Sequence, residues 1–223
     1  MQKIEINVYG FKELSDKSKA KALDELRYIN TDHVWWDFIY EDFISLCKTI
    51  GIGAEAGKIY FRGFYSQGDG SAFDAPVNIP ALADGIAQGK WKGYSNNDNL
   101  LLSAPAVNKH VWGLIRTGTI DTSFMIKSAG RGYYIKVDID YDIKYNKAVN
   151  YNNITAEMDR LSAWVEETAK KLNHFLYAAL RDEYEYCVSD KAVEEAIEAN
   201  QIAFTSDGKI ATRLLSLAEE TNG

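Results

Sequence analysis

Residues Ile59–Ala75 read IYFRGFYSQGDGSAFDA and join a run of strand-forming residues to a short polar loop. The aromatic and β-branched residues at the start predict a strand over 58–65. The segment Gly68–Ser71 follows, where glycine tolerates positive φ and short polar side chains bond to nearby backbone. We therefore expect a strand that runs into a shaped loop over 66–80, and such loops often carry binding residues.

Two interpretations of this loop are open. The first is a contact site for a ligand or partner protein, whose candidate residues are Arg62, Ser66, Gln67, Asp69, Ser71 and Asp74. The loop lacks the lysine of a P-loop and the spacing of a dinucleotide-binding G-x-G-x-x-G motif. The second interpretation, which we favour, is an Asp-stabilised turn that places Tyr65 and Phe73 in the core.

Composition limits the class of protein. The chain has 223 residues, 46% of them hydrophobic, with 14 Tyr and 5 Trp, enough for a core of normal size. A net charge of −7 argues against non-specific binding of nucleic acid. Cys47 and Cys187 do not make a disulfide framework and predict two reduced, mostly buried thiols. Since no apolar run reaches about 18 residues and no signal-peptide core is present, we expect a cytoplasmic protein without membrane contact.

Apolar periodicity predicts the helices and a hairpin. The predicted helices cover 16–29, 33–50, 80–88, 154–186 and 190–199, and the hairpin strands cover 119–127 and 132–140. Ser15 and Ser189 are placed to cap two of the helices. Apolar residues from Ile154 onward alternate in steps of four and three, which is typical of a heptad helix and offers a seam for a homodimer through 154–186.

Together these elements predict an α+β fold. Strands over 3–9, 58–65, 119–127 and 132–140 would form one antiparallel sheet, with helices packed on one face and a long C-terminal helix. A further strand and turn are expected over 202–209. We divide the chain into an α+β core domain, 1–150, and a helical C-terminal extension, 151–223, packed on the core or projecting from it.

No catalytic or metal-binding motif stands out. The three histidines are widely separated, and none has a metal-ligating neighbour three or four residues on. Asp138, Asp140 and Asp142 alternate along a strand; they suit either a hard cation or, as we favour, a solvated face neutralised by nearby lysines. We predict no metal and no cofactor, and we favour a non-enzymatic protein while leaving an enzyme open.

An acidic cluster near the C-terminus is a second candidate contact surface. Its proposed partner-contact residues are Glu183, Glu194, Glu195 and Glu198. Such a cluster can imitate nucleic-acid phosphate and occupy a basic groove. The other interpretation is an ordinary solvated helix face, which most runs of charge prove to be.

Four segments resemble a known group of proteins when taken as a set: ELSDKSKAKALDELR (13–27), WWDFIYEDF (35–43), GFYSQGDGSAFDA (63–75) and EYEYCVSDKAVEEAIEANQIAFTSDGKIA (183–211). The group consists of uncharacterised bacteriophage and prophage proteins, some labelled as antitoxins of toxin–antitoxin systems. The resemblance implies a phage accessory protein in the host cytoplasm that binds and neutralises a host bacterial toxin or defence protein.

Two alternatives to protein neutralisation follow from the residues. The first is sequestration of a nucleotide signal at the loop, which would need a nearby cation such as Arg62, Arg131 or Lys92 to balance phosphate. The second is a hydrolase with a carboxylate or metal site assembled in space.

Overall fold

The computed structural model describes residues 7–94, 100–129, 134–144 and 154–211. Contacts divide the chain into two units: unit 1 combines 1–35 with 182–223, and unit 2 is 36–181. These units do not follow the predicted division into 1–150 and 151–223.

Helices and two antiparallel sheets confirm the α+β class. The helices are α1 (Asp16–Glu25), α2 (Asp37–Thr49), α3 (Ile79–Ala87), α4 (Lys109–Arg116), α5 (Ile154–Cys187) and α6 (Asp190–Ala199). The strands are β1 (Ile59–Arg62), β2 (Gly70–Phe73), β3 (Ala75–Val77), β4 (Ile120–Ala129) and β5 (Tyr134–Ile143).

Five of the six α-helices in the described residues correspond to predicted helices, with ends shifted by up to four residues. Ser15 and Ser189 cap α1 and α6 as expected, each accepting a bond from the amide three residues on. The helix α4 was not predicted, although Asn108 caps it and its buried residues have helical spacing.

The strands form two sheets, so the single predicted sheet is wrong. One sheet pairs β1 with β2, and the other has the order β3-β4-β5, all antiparallel. Both β2 and β3 lie inside the segment 66–80 that was expected to be loop. These strands are four and three residues long and rich in Gly, Ala and Pro, so they lack the usual strand signal.

The hairpin β4–β5 confirms the prediction of two strands with one solvated face. Ten residue pairs run from Ile120↔Ile143 to Ala129↔Tyr134, and the turn 130–133 lies outside the described residues. Asp138, Asp140 and Asp142 are all exposed. The Lys127 ammonium lies 2.8 Å from the Asp138 carboxylate, and this hydrogen bond raises the pKa of Lys127.

The apolar stripe of α5 is used within the chain. The predicted heptad positions from Ile154 to Leu172 are buried, but Leu176 and Leu180 then replace the expected Phe175 and Ala179. The buried stripe thus follows the 3.6-residue period of a straight helix rather than the 3.5-residue period of a coiled coil. The homodimer through 154–186 stays a prediction. The apolar residues of α5 that are buried within the chain cannot also form the contact surface between two copies.

Unit 1 has its own small core. Its buried residues are Phe11, Leu14, Ala22, Val193, Ile197 and Phe204. Tyr9 and Phe204 exchange two backbone hydrogen bonds, of 2.8 and 2.9 Å. The expected strand over 202–209 is therefore only a pair of isolated bridges at Phe204, and Tyr9 joins it rather than the sheets of unit 2. Asn7 and Val8 of the expected strand 3–9 are not in a strand, and residues 3–6 lie outside the described residues.

Candidate functional site

The carboxylate of Asp69 organises the loop between β1 and β2. Its Oδ2 accepts hydrogen bonds from the backbone amides of Tyr65 (2.9 Å) and Ser66 (2.6 Å). Gly63 adopts a positive φ of +50°, and a Cβ there would lie 2.6 Å from the same oxygen. The chain must therefore have glycine at 63 to close around the Asp69 carboxylate.

Stacked aromatic rings support the base of the loop. Phe61 contacts Trp36 with ring centroids 5.2 Å apart, and it stacks on Phe64 at 6.0 Å. Phe64 in turn contacts Tyr177 of α5 at 5.5 Å. The Tyr177 hydroxyl donates to the Gly63 carbonyl (3.1 Å). These contacts attach the loop to α5.

Ser71 joins β2 to α5 through a reciprocal pair. Its hydroxyl donates to Asn173 Oδ1 (2.8 Å) and lies 3.1 Å from the Asn173 carbonyl oxygen. The Asn173 side-chain amide donates back to the Ser71 carbonyl (2.7 Å). Because Ser71 is buried and its hydroxyl is already bonded, its role is structural.

Asp74 is the only residue between β2 and β3 and connects the two sheets. Its amide donates to the Lys58 carbonyl (2.9 Å), which continues the β1–β2 ladder. Its Oδ1 accepts from the Ser128 amide in β4 (2.6 Å), and the Tyr60 hydroxyl in β1 lies 3.4 Å from Oδ2. The Asp74 carboxylate thus accepts a hydrogen bond from a β4 amide that lies beyond the residues of β4 paired with β3.

The remaining candidates are exposed: Arg62 ends β1, and Ser66 and Gln67 lie in the loop. Together with the neighbouring Tyr65 they form the surface that we call the loop tip. Tyr65 is 71% exposed, so the expectation that it lies in the core is wrong. Phe73 is fully buried, as expected, and packs edge-on against Phe43. The six candidates therefore separate into three residues that build the loop and three, with Tyr65, that lie on its surface.

A cleft of about 330 Å³ adjoins the loop in unit 2. Asp69, Gly70 and Ser71 form one wall, and the start of β5 contributes the exposed Tyr134. One face of α5 contributes the rest of the described lining, with Lys170, Asn173, His174 and Tyr177. Sequence reasoning missed all four of these helix residues, although their spacing of three, one and three places them on one side of a helix.

The cleft contains groups of both charges. Burial raises the pKa of Tyr177, the nearby Asp69 carboxylate raises it further, and Arg181 lowers it. Tyr177 is therefore a neutral hydroxyl at physiological pH. Lys170 carries the positive charge of the cleft and is paired with Glu166 one turn earlier on α5. These groups suit a polar molecule that presents an anionic group to Lys170.

Of the three basic residues suggested to balance a phosphate, Arg62 and Lys92 are not among the described residues that line the cleft. Arg62 is exposed at the end of β1, beside the loop. Lys92 belongs to a short 3₁₀ turn, where its ammonium lies over the Trp91 ring. Arg131 lies outside the described residues.

The predicted acidic surface lies in unit 1 and at the end of α5, and much of its charge is paired. The Glu198 carboxylate lies 2.8 Å from Lys12, and Glu195 lies 3.9 Å from Lys191. Glu183 accepts a weak bond from the Cys187 thiol. Glu194 contributes to the raised pKa of Lys12. The arrangement is that of a helix surface with its own counter-charges.

Two observations concern metals and membranes. Among the residues that the structure describes, no three His, Cys, Asp or Glu side chains are grouped as metal ligands would be. Within the same residues, no helix is both long enough and apolar enough to cross a bilayer.

The fold and site define an α+β protein with a braced loop and an adjoining cleft in unit 2. A family model for a domain of unknown function, DUF8835, matches residues 35–190. The match covers well over half of the chain, so the chain belongs to the DUF8835 family. It includes all of unit 2, and with it the loop and the cleft. No curated protein and no solved structure matches the chain.

Replacing Asp69 by Ala tests whether this carboxylate holds the loop. The amides of Tyr65 and Ser66 lose their acceptor, so we expect faster hydrogen exchange at both, with a stability loss of about 1 kcal/mol because the bonds are exposed. Gln67→Ala is the control, since its side chain lies on the loop surface. Unchanged exchange at both amides in Asp69→Ala would show that the loop holds its shape without the carboxylate.

Proposed function

We propose that this chain is a non-enzymatic binding protein that neutralises a protein of a bacterial host, a toxin or defence component, by direct contact. The bacteriophage origin and the host cytoplasm that this implies rest on the resemblance of the four sequence segments. The observation that carries the binding role is the loop tip: an exposed tyrosine held on a loop that the chain itself braces.

The bracing favours binding for a physical reason. Fixing a flexible loop on association costs conformational entropy, and a loop that is already ordered avoids much of that cost. The bonds of Asp69, Ser71 and Asp74 order this loop in the free protein. Tyrosine and arginine are also among the side chains enriched at the energetic centres of protein interfaces, and the loop tip offers Tyr65 and Arg62.

The test is an affinity pull-down of the tagged full chain from host lysate, followed by mass spectrometry. We expect one stoichiometric host protein. Tyr65→Ala should weaken its binding about thirtyfold, because truncating a central contact residue costs about 2 kcal/mol. Tyr28→Ala is the matched control, since Tyr28 is also largely exposed but lies in unit 1.

Two results would count against this proposal. An empty pull-down would remove the neutralising function. Equal capture by the wild type and Tyr65→Ala would show that a captured protein binds elsewhere.

The cleft favours a second candidate function, sequestration of a small anionic molecule such as a nucleotide. It offers the ammonium of Lys170 and the ring of Tyr134 within about 330 Å³. The volume is at the lower end of the range found for small-molecule sites.

A thermal-shift panel of nucleotides tests this candidate. A ligand that binds only the folded chain raises the melting temperature, and we expect Lys170→Ala to abolish the rise. Lys171→Ala is the control, because Lys171 pairs with Glu167 and does not line the cleft. No rise with any nucleotide, or an equal rise in both variants, would exclude this use of the cleft.

A further inference from the structure

The outer edge of β5 has backbone groups that no strand of the described chain pairs. In the order β3-β4-β5 this ten-residue strand lies at the end of the sheet. Such an edge presents a row of N–H and C=O groups that another extended chain can pair with.

The hydrogen-bond pattern shows which residues face outward. The Lys144 amide donates to the Thr119 carbonyl (2.9 Å), and alternate pairs of an antiparallel ladder are bonded in this way. Asp142, Asp140 and Asp138 therefore bond to β4. The residues between them turn their N–H and C=O groups to the open edge: Ile135, Val137, Ile139, Tyr141 and Ile143.

A second contact independently indicates the same set of outward-facing residues. Ser128 stands opposite Ile135, and its amide points away from β5 to reach Asp74. The pair Ser128↔Ile135 is therefore not bonded across the hairpin, and the backbone of Ile135 faces outward, as the first contact requires.

On the apolar face of the sheet, the side chains of β5 are less buried than those of β4. Ile120, Phe124 and Ile126 of β4 are almost fully buried. Their cross-strand partners Ile143, Ile139 and Val137 are only half-buried, although they are equally apolar. An additional strand would cover these side chains and complete the core at this end of the sheet.

The opposite face of β5 carries three consecutive aspartates, Asp138, Asp140 and Asp142, with Lys136 before them and Lys144 after them. Asp138 is paired with Lys127, whereas Asp140 and Asp142 have no basic partner among the described residues. Asp121 stands directly opposite Asp142 and adds to the repulsion. A strand that paired with β5 and carried basic side chains on this face would offset the repulsion between these aspartates.

The same charges favour a partner of different sequence over a second copy of this chain. Antiparallel pairing of two β5 strands centred on Ile139 would place Asp138 of each copy opposite Asp140 of the other, and Lys136 opposite Asp142, so repulsion and attraction would offset each other. Like charges directly opposite destabilise a sheet, and natural edges use them to prevent self-association. A strand of a different protein that has lysine or arginine opposite Asp138, Asp140 and Asp142 gains attraction at all three positions.

We propose that β5 is a docking edge for an extended segment of a partner protein, apolar on one face and basic on the other, which adds a fourth strand to the sheet. This inference rests on the proposed protein-binding function and names a second contact surface, distinct from the loop tip. Backbone bonds would give affinity, while Asp140 and Asp142 would select the basic partner.

Defined peptides bound to the full chain test this proposal. The probe is an acetylated ten-residue peptide of alternating valine and lysine, measured by fluorescence polarisation. We expect it to bind at least about tenfold more tightly than the matching valine–glutamate peptide, because several cross-strand charge pairs change sign.

N-methylation separates strand pairing from charge attraction. Directly opposed residues share a face, so the valines would stand opposite Ile139 and its neighbours and use their amides to bond to β5. Methylating the valine nitrogens should abolish binding, whereas methylating the lysine nitrogens should preserve it. The two methylated peptides have equal charge and composition, so equal binding of both would overturn the proposal, as would no binding of any peptide.

Variants of the protein give the reciprocal test. Ile139→Pro removes one outward N–H and leaves the bonds to β4 in place, so it should abolish peptide binding while circular dichroism stays unchanged. Asp140→Lys with Asp142→Lys should reverse the preference toward the glutamate peptide. A wild-type dimer that Ile139→Pro converts to a monomer would assign the edge to a second copy and overturn the proposal.

The outcomes distinguish this inference from the proposed function. Tyr65→Ala should bind the lysine peptide as the wild type does, since the loop tip is a separate surface. Stoichiometric capture of a host protein without peptide binding would overturn the docking edge alone. Peptide binding with an empty pull-down would overturn the neutralising function alone.

Discussion

The fold of unit 2 depends on the single residue between its two sheets. The chain leaves β2 at Phe73 and enters β3 at Ala75, so Asp74 alone makes the change from one sheet to the other. Its amide extends the first sheet, and its carboxylate accepts a β4 amide of the second. A connection of one residue cannot lengthen or shorten. A shift of register in either sheet would therefore have to break these bonds.

The surfaces available for binding follow from this junction. Fixing β2 places Ser71 against Asn173 of α5, and the Asp69 loop then closes over the aromatic rings below it. Fixing β3 and β4 leaves β5 at the end of the sheet. The loop tip and the β5 edge are thus two consequences of how the two sheets are joined.

Local signals predicted the elements whose partners are near in sequence. The serine caps, the helix periodicity and the β4–β5 hairpin all depend on neighbouring residues. The polar residues around Asp69 were also recognised as a candidate site. Their roles were not predictable, because Ser71 bonds to Asn173 and Asp74 to Ser128, which are 102 and 54 residues away. The cleft face of α5 was missed for the same reason: only the docked loop distinguishes Lys170 and His174 from other exposed helix residues.

Hydrogen exchange in an Asp74→Ala variant tests the junction most directly. We expect faster exchange at Ser128 and in both sheets. We also expect a stability loss of about 2 kcal/mol, because the Ser128 amide loses its charged acceptor. Asp138→Ala is the control on the same sheet, where the carboxylate is exposed and bonded only to Lys127. Faster exchange at Ser128 alone, with the stability of the wild type, would contradict the claim that Asp74 holds the two sheets in register.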